Sequence, residues 1–445
     1  MSVWGVGLKR FDVPLLFVEK PTWPALLDPP SLQYTPFAYE PAPGRNPQPL
    51  LRDRFILKPG IDLNSYRCRA VIDWIEIQLD TAGVHQARNV QSAAARILSD
   101  VGSASSVFVT GLDRRPGHTG SHFILRIQQP QPQVLLAFCK KIVAKYDPER
   151  KSVQDMPITG VEISVDFYVK NSRMLSEDAQ NLSRWQMTEV LQRHLKPGRA
   201  LTERDHNHPR FFSEFNRKAS SRPTVGRMST KATSEQRVEI ARLGLHEDVL
   251  TPLRIGAHSQ APIDTTYYIG KKSSAVMLRV MDKITDQRDP VTNTAVRLSP
   301  ADCRSRIEVT FLKNADEVGG PAAVGIETLE DLFGYTFTST RKLVFEYFYP
   351  TINGCDEMNE LPFPVNITEL EVFKRSGVYG LDRVHRSIAE IGVGQYRKRE
   401  VSQRPRQIGT KGKTVAFISL NRMVDRALVS LSKSWKLQRG HLLAA

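Results

Sequence analysis

Three runs decide the fold: Val161-Glu162-Ile163-Ser164-Val165-Asp166-Phe167, Val276-Met277-Leu278-Arg279-Val280-Met281-Asp282-Lys283 and Arg304-Ser305-Arg306-Ile307-Glu308-Val309-Thr310-Phe311. A strand sends alternate side chains to opposite faces. Val161, Ile163, Val165 and Phe167 therefore share one face of the first run, and Glu162, Ser164 and Asp166 the other. Leu278 and Val280 oppose Arg279, Met281 and Lys283 in the second, and Ile307, Val309 and Phe311 oppose Arg306, Glu308 and Thr310 in the third. The polar faces carry acid–x₃–acid, Arg–x₃–Lys and Arg–x–Glu. Ordered charge of this kind suits the floor of a site for a metal and a phosphate better than a solvated sheet face.

Working outward, 445 residues suffice for two or three domains, and a hydrophobic share of 40% suffices for their cores. Lys and Arg number 62 against 47 Asp and Glu, a net charge of +15. An excess of this size points to a polyanion, nucleic acid before an anionic membrane surface. No apolar run is long enough to span a bilayer, and the N-terminal residues lack the pattern of a secretory signal. Cys68, Cys139, Cys303 and Cys355 are widely spaced, which suits a reducing compartment and excludes a compact cysteine zinc knuckle. A cytoplasmic protein with no membrane association is the expectation.

Along the chain, ten prolines between Pro14 and Pro49 predict an extended arm over residues 1–65. From residue 66 the pattern reads strand, helix, strand, strand, helix, strand. Val71–Leu79, Ser106–Thr110, Phe123–Ile127 and the Glu162 run are the strands, and Val90–Val101 and Gln131–Tyr146 the helices. The predicted class is α+β: a central antiparallel sheet of split β-α-β type with helices on one face, a plan that the second half could duplicate. Residues 66–320 form the expected main domain. Within it 171–260 reads as an insertion containing a helix over Leu175–Leu195, followed by a basic stretch with interleaved phenylalanines around Arg217 and Lys218 that suits tracking of a nucleic-acid strand. Residues 321–365 read as a connecting segment, and 366–445 as a mainly helical, basic DNA-binding region. From Glu371 onward sixteen Lys and Arg face five Asp and Glu. Arg397, Lys398, Arg399, Lys411 and Lys413 lie in a basic linker expected to contact phosphates.

Thr266-Tyr267-Tyr268-Ile269-Gly270-Lys271-Lys272-Ser273-Ser274 resembles the "T-x-Y-[IF]-G-x-[RK]-x-S" segment of the replication initiation factor (Rep_trans) family. That family comprises rolling-circle plasmid initiators, filamentous-phage initiators and related relaxases of integrative elements. Arg279-Val280-Met281-Asp282-Lys283 resembles its "R-[IV]-Y-x-K" segment, and Arg306-Ile307-Glu308-Val309-Thr310 its "R-[VI]-E-[IL]" strand. Asp73-Trp74 and Glu162–Asp166 complete the order. The resemblance covers roughly residues 70–315. It departs at Met281, where the pattern usually has tyrosine. The resemblance implies nicking and rejoining of one DNA strand at an origin through a tyrosine-5′-phosphate. Tyr268 is the expected nucleophile, with Tyr267 and Tyr379 behind it. The implied DNA contacts include Lys271, Lys272 and Ser273.

A phenol is a weak nucleophile near neutral pH until a cation, base or metal activates it. Mg²⁺ or Mn²⁺ prefers oxygen donors, which makes Glu162, Asp166, Glu308 and Asp73 the candidate ligands. Asp73 shares its strand face with Val71, Ile75 and Ile77 by simple alternation, and a carboxylate on an apolar face is costly unless paired or metal-bound. Arg279, Lys283 and Arg306 are candidates to hold phosphate oxygens or stabilise a departing alkoxide. The competing reading is a ladder of cross-strand ion pairs, such as Glu162 with Arg306. His206-Asn207-His208, or His118 with His122, is a lesser candidate metal pair. Expected partners are single- and double-stranded DNA at a replication origin, a host helicase and a second copy of the chain. Conjugative transfer would use the same chemistry, and a sequence-specific DNA-binding protein without nuclease activity is the alternative of different class.

Overall fold

Three short strands precede the region where alternation becomes clear: β1 (Arg10–Pro14), β2 (Tyr34–Pro41) and β3 (Arg54–Pro59). The computed structural model describes residues 10–15, 34–41, 54–113, 119–198, 210–213, 224–226, 261–270, 274–286, 296–313, 320–353, 368–399 and 413–438. The described parts of the proline-rich segment include three strands, which pair rather than trail as an arm. β3 also pairs with β15 (Phe348–Asn353), and β15 with β16 (Thr414–Ala416), giving a five-stranded sheet in the order β1-β2-β3-β15-β16. Prolines sit where a missing N–H is tolerated: Pro14, Pro41 and Pro59 end strands, and Pro36 lies where β2 pairs with β1 alone.

The main sheet begins with β4 (Tyr66–Gln86), then α1 (Ala87–Asp100), β5 (Val107–Gly111), β6 (Thr119–Gln128), α2 (Pro132–Tyr146) and β7 (Ile158–Val169). These strands lie in the order β5-β6-β4-β7, all antiparallel, which is the split β-α-β plan expected. α3 (Glu177–His194) follows, then β8 (Arg210–Ser213), β9 (Thr224–Gly226), β10 (Thr266–Ile269), β11 (Val276–Lys283), the small hairpin β12 (Thr285–Asp286) and β13 (Val296–Arg297), and β14 (Arg304–Leu312). The nine-stranded sheet runs β5-β6-β4-β7-β14-β11-β10-β8-β9. The class is α+β. Among the described residues of the second half, β10, β11 and β14 are successive neighbours in the sheet with no helix between them.

The apolar face is built from Ile75, Ile77, Ile163, Val165, Val280, Ile307 and Val309, all at most 1% exposed. α1, α2 and α3 pack on it. α3 is therefore core rather than insertion: Met187, Val190 and Leu191 are fully buried at helical spacing, and β8 and β9 extend the same sheet. Asp282 falls on the apolar face by alternation. It is held there by a two-point ion pair with Arg184 and by the Trp185 indole N–H at 3.1 Å.

Residues 321–353 are structural, not a connector. α4 (Leu329–Gly334) and α5 (Thr338–Val344) bury Leu332, Phe333, Phe337 and Val344. α6 (Glu369–Arg399) is broken at Gly377, whose φ is 63°. α7 (Ile418–Lys436) buries Leu420, Val424, Leu428, Leu431 and Trp435 against β4, α4 and α5. The C-terminal region is thus joined to the main core rather than separate. No helix among the described residues is long and apolar enough to cross a membrane.

Candidate active site

Sheet register assembles the polar floor. Glu162, Ser164 and Asp166 of β7 stand opposite Thr310, Glu308 and Arg306 of β14. Glu308 and Arg306 stand opposite Arg279 and Met281 of β11, which in turn face Tyr268 and Thr266 of β10. Because all the strands present the same parity on this side, every one of these side chains lies on one face. That face floors a cleft of about 1410 Å³. All eight residues expected to act in catalysis or metal binding line it: Tyr268, Lys283, Arg279, Arg306, Glu162, Asp166, Glu308 and Asp73.

Asp73 reaches the floor by a route that simple alternation misses. Ile72 pairs with Ile163, but the next pair is Trp74 with Glu162, so β4 carries one extra residue, Asp73. This β-bulge shifts the phase of the strand. Asp73 joins the polar face, where it accepts a hydrogen bond from the Ser164 hydroxyl, while Ile75 and Ile77 return to the core. The expectation of a carboxylate stranded on the apolar face is corrected accordingly.

The charges are interleaved. Arg306 binds both Asp166 oxygens, at 2.5 and 2.6 Å, and its Nη1 also reaches Asp73 at 2.7 Å and Glu308 at 3.2 Å. With its side chain only 3% exposed, Arg306 organises carboxylates and is not presented to a ligand. Arg304 adds a contact to Asp166 at 3.2 Å. Asp166 is thereby committed to arginines rather than grouped with the other acids. Arg279 bridges Glu162 at 2.6 Å and Glu308 at 2.5 Å, and the Thr310 hydroxyl donates to Glu162 at 2.6 Å. The cross-strand pair imagined between Glu162 and Arg306 is replaced by Glu162–Arg279. Lys283 pairs with Asp286 at 3.2 Å.

Asp73, Glu162 and Glu308 each offer a carboxylate oxygen within 4.8 Å of the others. Burial, then the charges of Glu308 and Asp73, push the Glu162 carboxyl up to about 7 against the pull of Arg279 and Thr310. Burial opposes the charge on Arg279, but Glu308 and Glu162 more than offset it and hold the guanidinium protonated. Three hard oxygen donors, one of them ionising reluctantly because it is buried beside like-charged neighbours, fit a divalent cation.

Tyr268 lies on the floor across the β10–β11 pair from Arg279. The other two tyrosines considered do not reach the floor. Tyr267 is 1% and Tyr379 2% exposed, both in the core behind the sheet, and burial raises the Tyr267 phenol far above its usual range. Met281 occupies the floor beside Thr266. Among the expected DNA contacts, Lys271, Lys272, Ser273, Arg217, Lys218 and Lys411 lie outside the described residues, as do His118, His206 and His208. The side chains of Arg397, Lys398 and Arg399 are likewise outside them. Lys413 binds buried Glu369 at 3.3 Å, and His122 pairs with Asp113 at 3.2 Å.

The structure adds residues that the sequence did not single out. Arg304 and Tyr168 line the cleft, as do Arg67 and Arg69 on β4 and Arg422 and Arg426 on α7. The signal for the last pair was present as an i, i+4 spacing opposite the apolar stripe of α7, but such a face ordinarily meets only water. No family model, curated protein or solved structure matches this chain.

Proposed function

We propose that the chain is a DNA strand-nicking and joining enzyme that initiates rolling-circle replication, with Tyr268 as its nucleophile. The observation that carries this reading is the meeting of Tyr268, three clustered carboxylates and a set of guanidinium groups in a single cleft. Each element has a role. The Tyr268 hydroxyl oxygen attacks the scissile phosphorus, the bond from phosphorus to the 3′ oxygen breaks, and the 5′ end stays on the tyrosine. The phenol loses its proton, the 3′ oxygen gains one, and attack by a 3′ hydroxyl reverses the step. Because one phosphodiester replaces another, rejoining needs no external energy source. Arg279, fixed by Glu162 and Glu308, places a positive charge beside Tyr268, which favours the phenolate and the charge on the reacting phosphate.

Asp73, Glu162 and Glu308 would hold Mg²⁺ or Mn²⁺, which supplies charge neutralisation at the scissile phosphate. Arg306 and Ser164 fix Asp73 in position, and Arg306 also holds Glu308. A relaxase of an integrative element would use the same arrangement. One observation favours a different class: Arg279 and Arg306 already neutralise much of the acid cluster, as in a purely structural ladder. That alternative is a DNA-binding protein without nuclease activity.

The test is incubation of the full chain with Mn²⁺ and labelled single-stranded DNA from its own replicon's origin, followed by a denaturing gel. A covalent adduct absent from Tyr268→Phe is the expected result. No adduct, together with salt-sensitive DNA binding, would establish the non-catalytic alternative.

A further inference from the structure

The nicking reading uses the floor of the cleft and leaves its far rim unexplained. Beyond β7, the cleft is lined by Arg67 and Arg69 from β4 and by Arg422 and Arg426 from α7. All four are exposed. Among the described residues none has a carboxylate within ion-pair distance, whereas every floor arginine is paired with acid. Four guanidiniums that line one cleft from two elements without neutralising acid do not help hold the fold through charge, because exposed like charges repel. Arg67 also lies 5.1 Å from the Tyr168 ring centroid, and Arg304 lies 5.7 Å from the same ring. This stack of planar groups at the cleft wall offers a surface to a base.

We propose that α7 and the start of β4 form a phosphate track for a single DNA strand, which crosses the sheet from Tyr268 to Arg422 and Arg426. This rests on the nicking reading for its Tyr268 end. From β10 to β4 the path crosses four strand spacings, about 19 Å, a span of only a few nucleotides. A single strand fits better than a duplex for two reasons. Tyr268 lies on a sheet face and must touch the phosphate directly, and the Tyr168 stack can engage only an unpaired base. The C-terminal helix then belongs to the substrate path rather than to a separate duplex-reading region.

The experiment is anisotropy of a labelled oligothymidylate bound to the full chain across a salt series, with the adduct gel run on the same samples. Arg422→Ala/Arg426→Ala should weaken binding and reduce the slope of log affinity against log salt by about 1.4, roughly 0.7 per lost single-strand phosphate contact. Arg67→Ala/Arg69→Ala should do the same. Lys140→Ala/Lys141→Ala, on the exposed side of α2, removes equal charge and should leave the slope unchanged. All six positions are exposed, so folding is not at issue, and a thermal melt checks this. Equal slopes for wild type and both arginine variants overturn the track even if the adduct forms. A slope change without any adduct in wild type supports the track and overturns the nicking reading. Tighter binding of duplex than of single strand, lost in the same variants, overturns the single-strand assignment.

Discussion

Binding of Mn²⁺ to the carboxylate cluster should expel a proton from Glu162, and this gives the site a measurable pH signature. The Glu162 carboxyl is raised to about 7 by burial beside Glu308 and Asp73, while metal ligation requires the carboxylate. With that value, about a tenth of the free protein carries ionised Glu162 at pH 6 and about nine-tenths at pH 8. Apparent affinity should therefore rise roughly tenfold between pH 6 and pH 8, equivalent to about 1.4 kcal/mol. Calorimetric titration in two buffers of different ionisation enthalpy should show about half a proton released per metal at pH 7. Without metal the sign reverses for stability. Between about 4.5 and 7 the folded state keeps a proton that the unfolded chain has lost, so Glu162 makes folding less favourable as pH rises through that window. Glu162→Gln should abolish both effects. Metal binding of equal strength at pH 6 and pH 8, without proton release, would refute the assignment of Glu162 as a ligand. Failure to bind at either pH would leave the carboxylates as partners of Arg279 and Arg306 alone.

Other consequences follow from single residues. Tyr267→Phe removes a buried hydroxyl that has no hydrogen-bond partner, so chemical denaturation should show unchanged stability or a gain of up to about 1 kcal/mol, with the adduct retained. Glu369→Ala should cost about 3–5 kcal/mol in urea unfolding, because it breaks the buried ion pair with Arg54 of β3, whose side chain is 4% exposed, and removes the carboxylate that His385 also binds. A loss under about 1 kcal/mol would show that this junction of β3 and α6 is not held by the ion pair. Gly270→Ala should lower the melting temperature, since Gly270 has φ +94° and an added Cβ would lie 2.7 Å from the Val276 carbonyl oxygen. An unchanged melt would mean that the β10–β11 turn relaxes freely.

The polar floor was readable because strand alternation is a local property. Once Glu162, Asp166, Arg279, Arg306 and Glu308 are placed on strands, their faces follow without knowledge of the partners. The split β-α-β plan followed from the order of periodicities in the same way. Asp73 was selected for a sound reason, the cost of a lone carboxylate, but on the wrong face. A bulge of one residue is invisible to a two-residue period. The pairing of the described strands within the arm, the insertion and the connecting segment is not legible locally for another reason. β1 to β3, β8, β9 and β15 are short, and their stability comes from partners far along the chain, as in the pairing of Ile56 with Thr351.

Charge totals alone fixed the preference for a polyanion, and local patterning fixed the class and the composition of the floor. Only the tertiary structure decided which charges remain available. It spends Arg306 and Lys413 on buried acids, withdraws Tyr267 and Tyr379 into the core, and brings Arg422 and Arg426 of α7 into the same cleft as Arg67 and Arg69 of β4. The reason is physical: a side chain's charge is written in the sequence, but its neutralisation and solvation depend on groups hundreds of residues away that folding alone brings into reach.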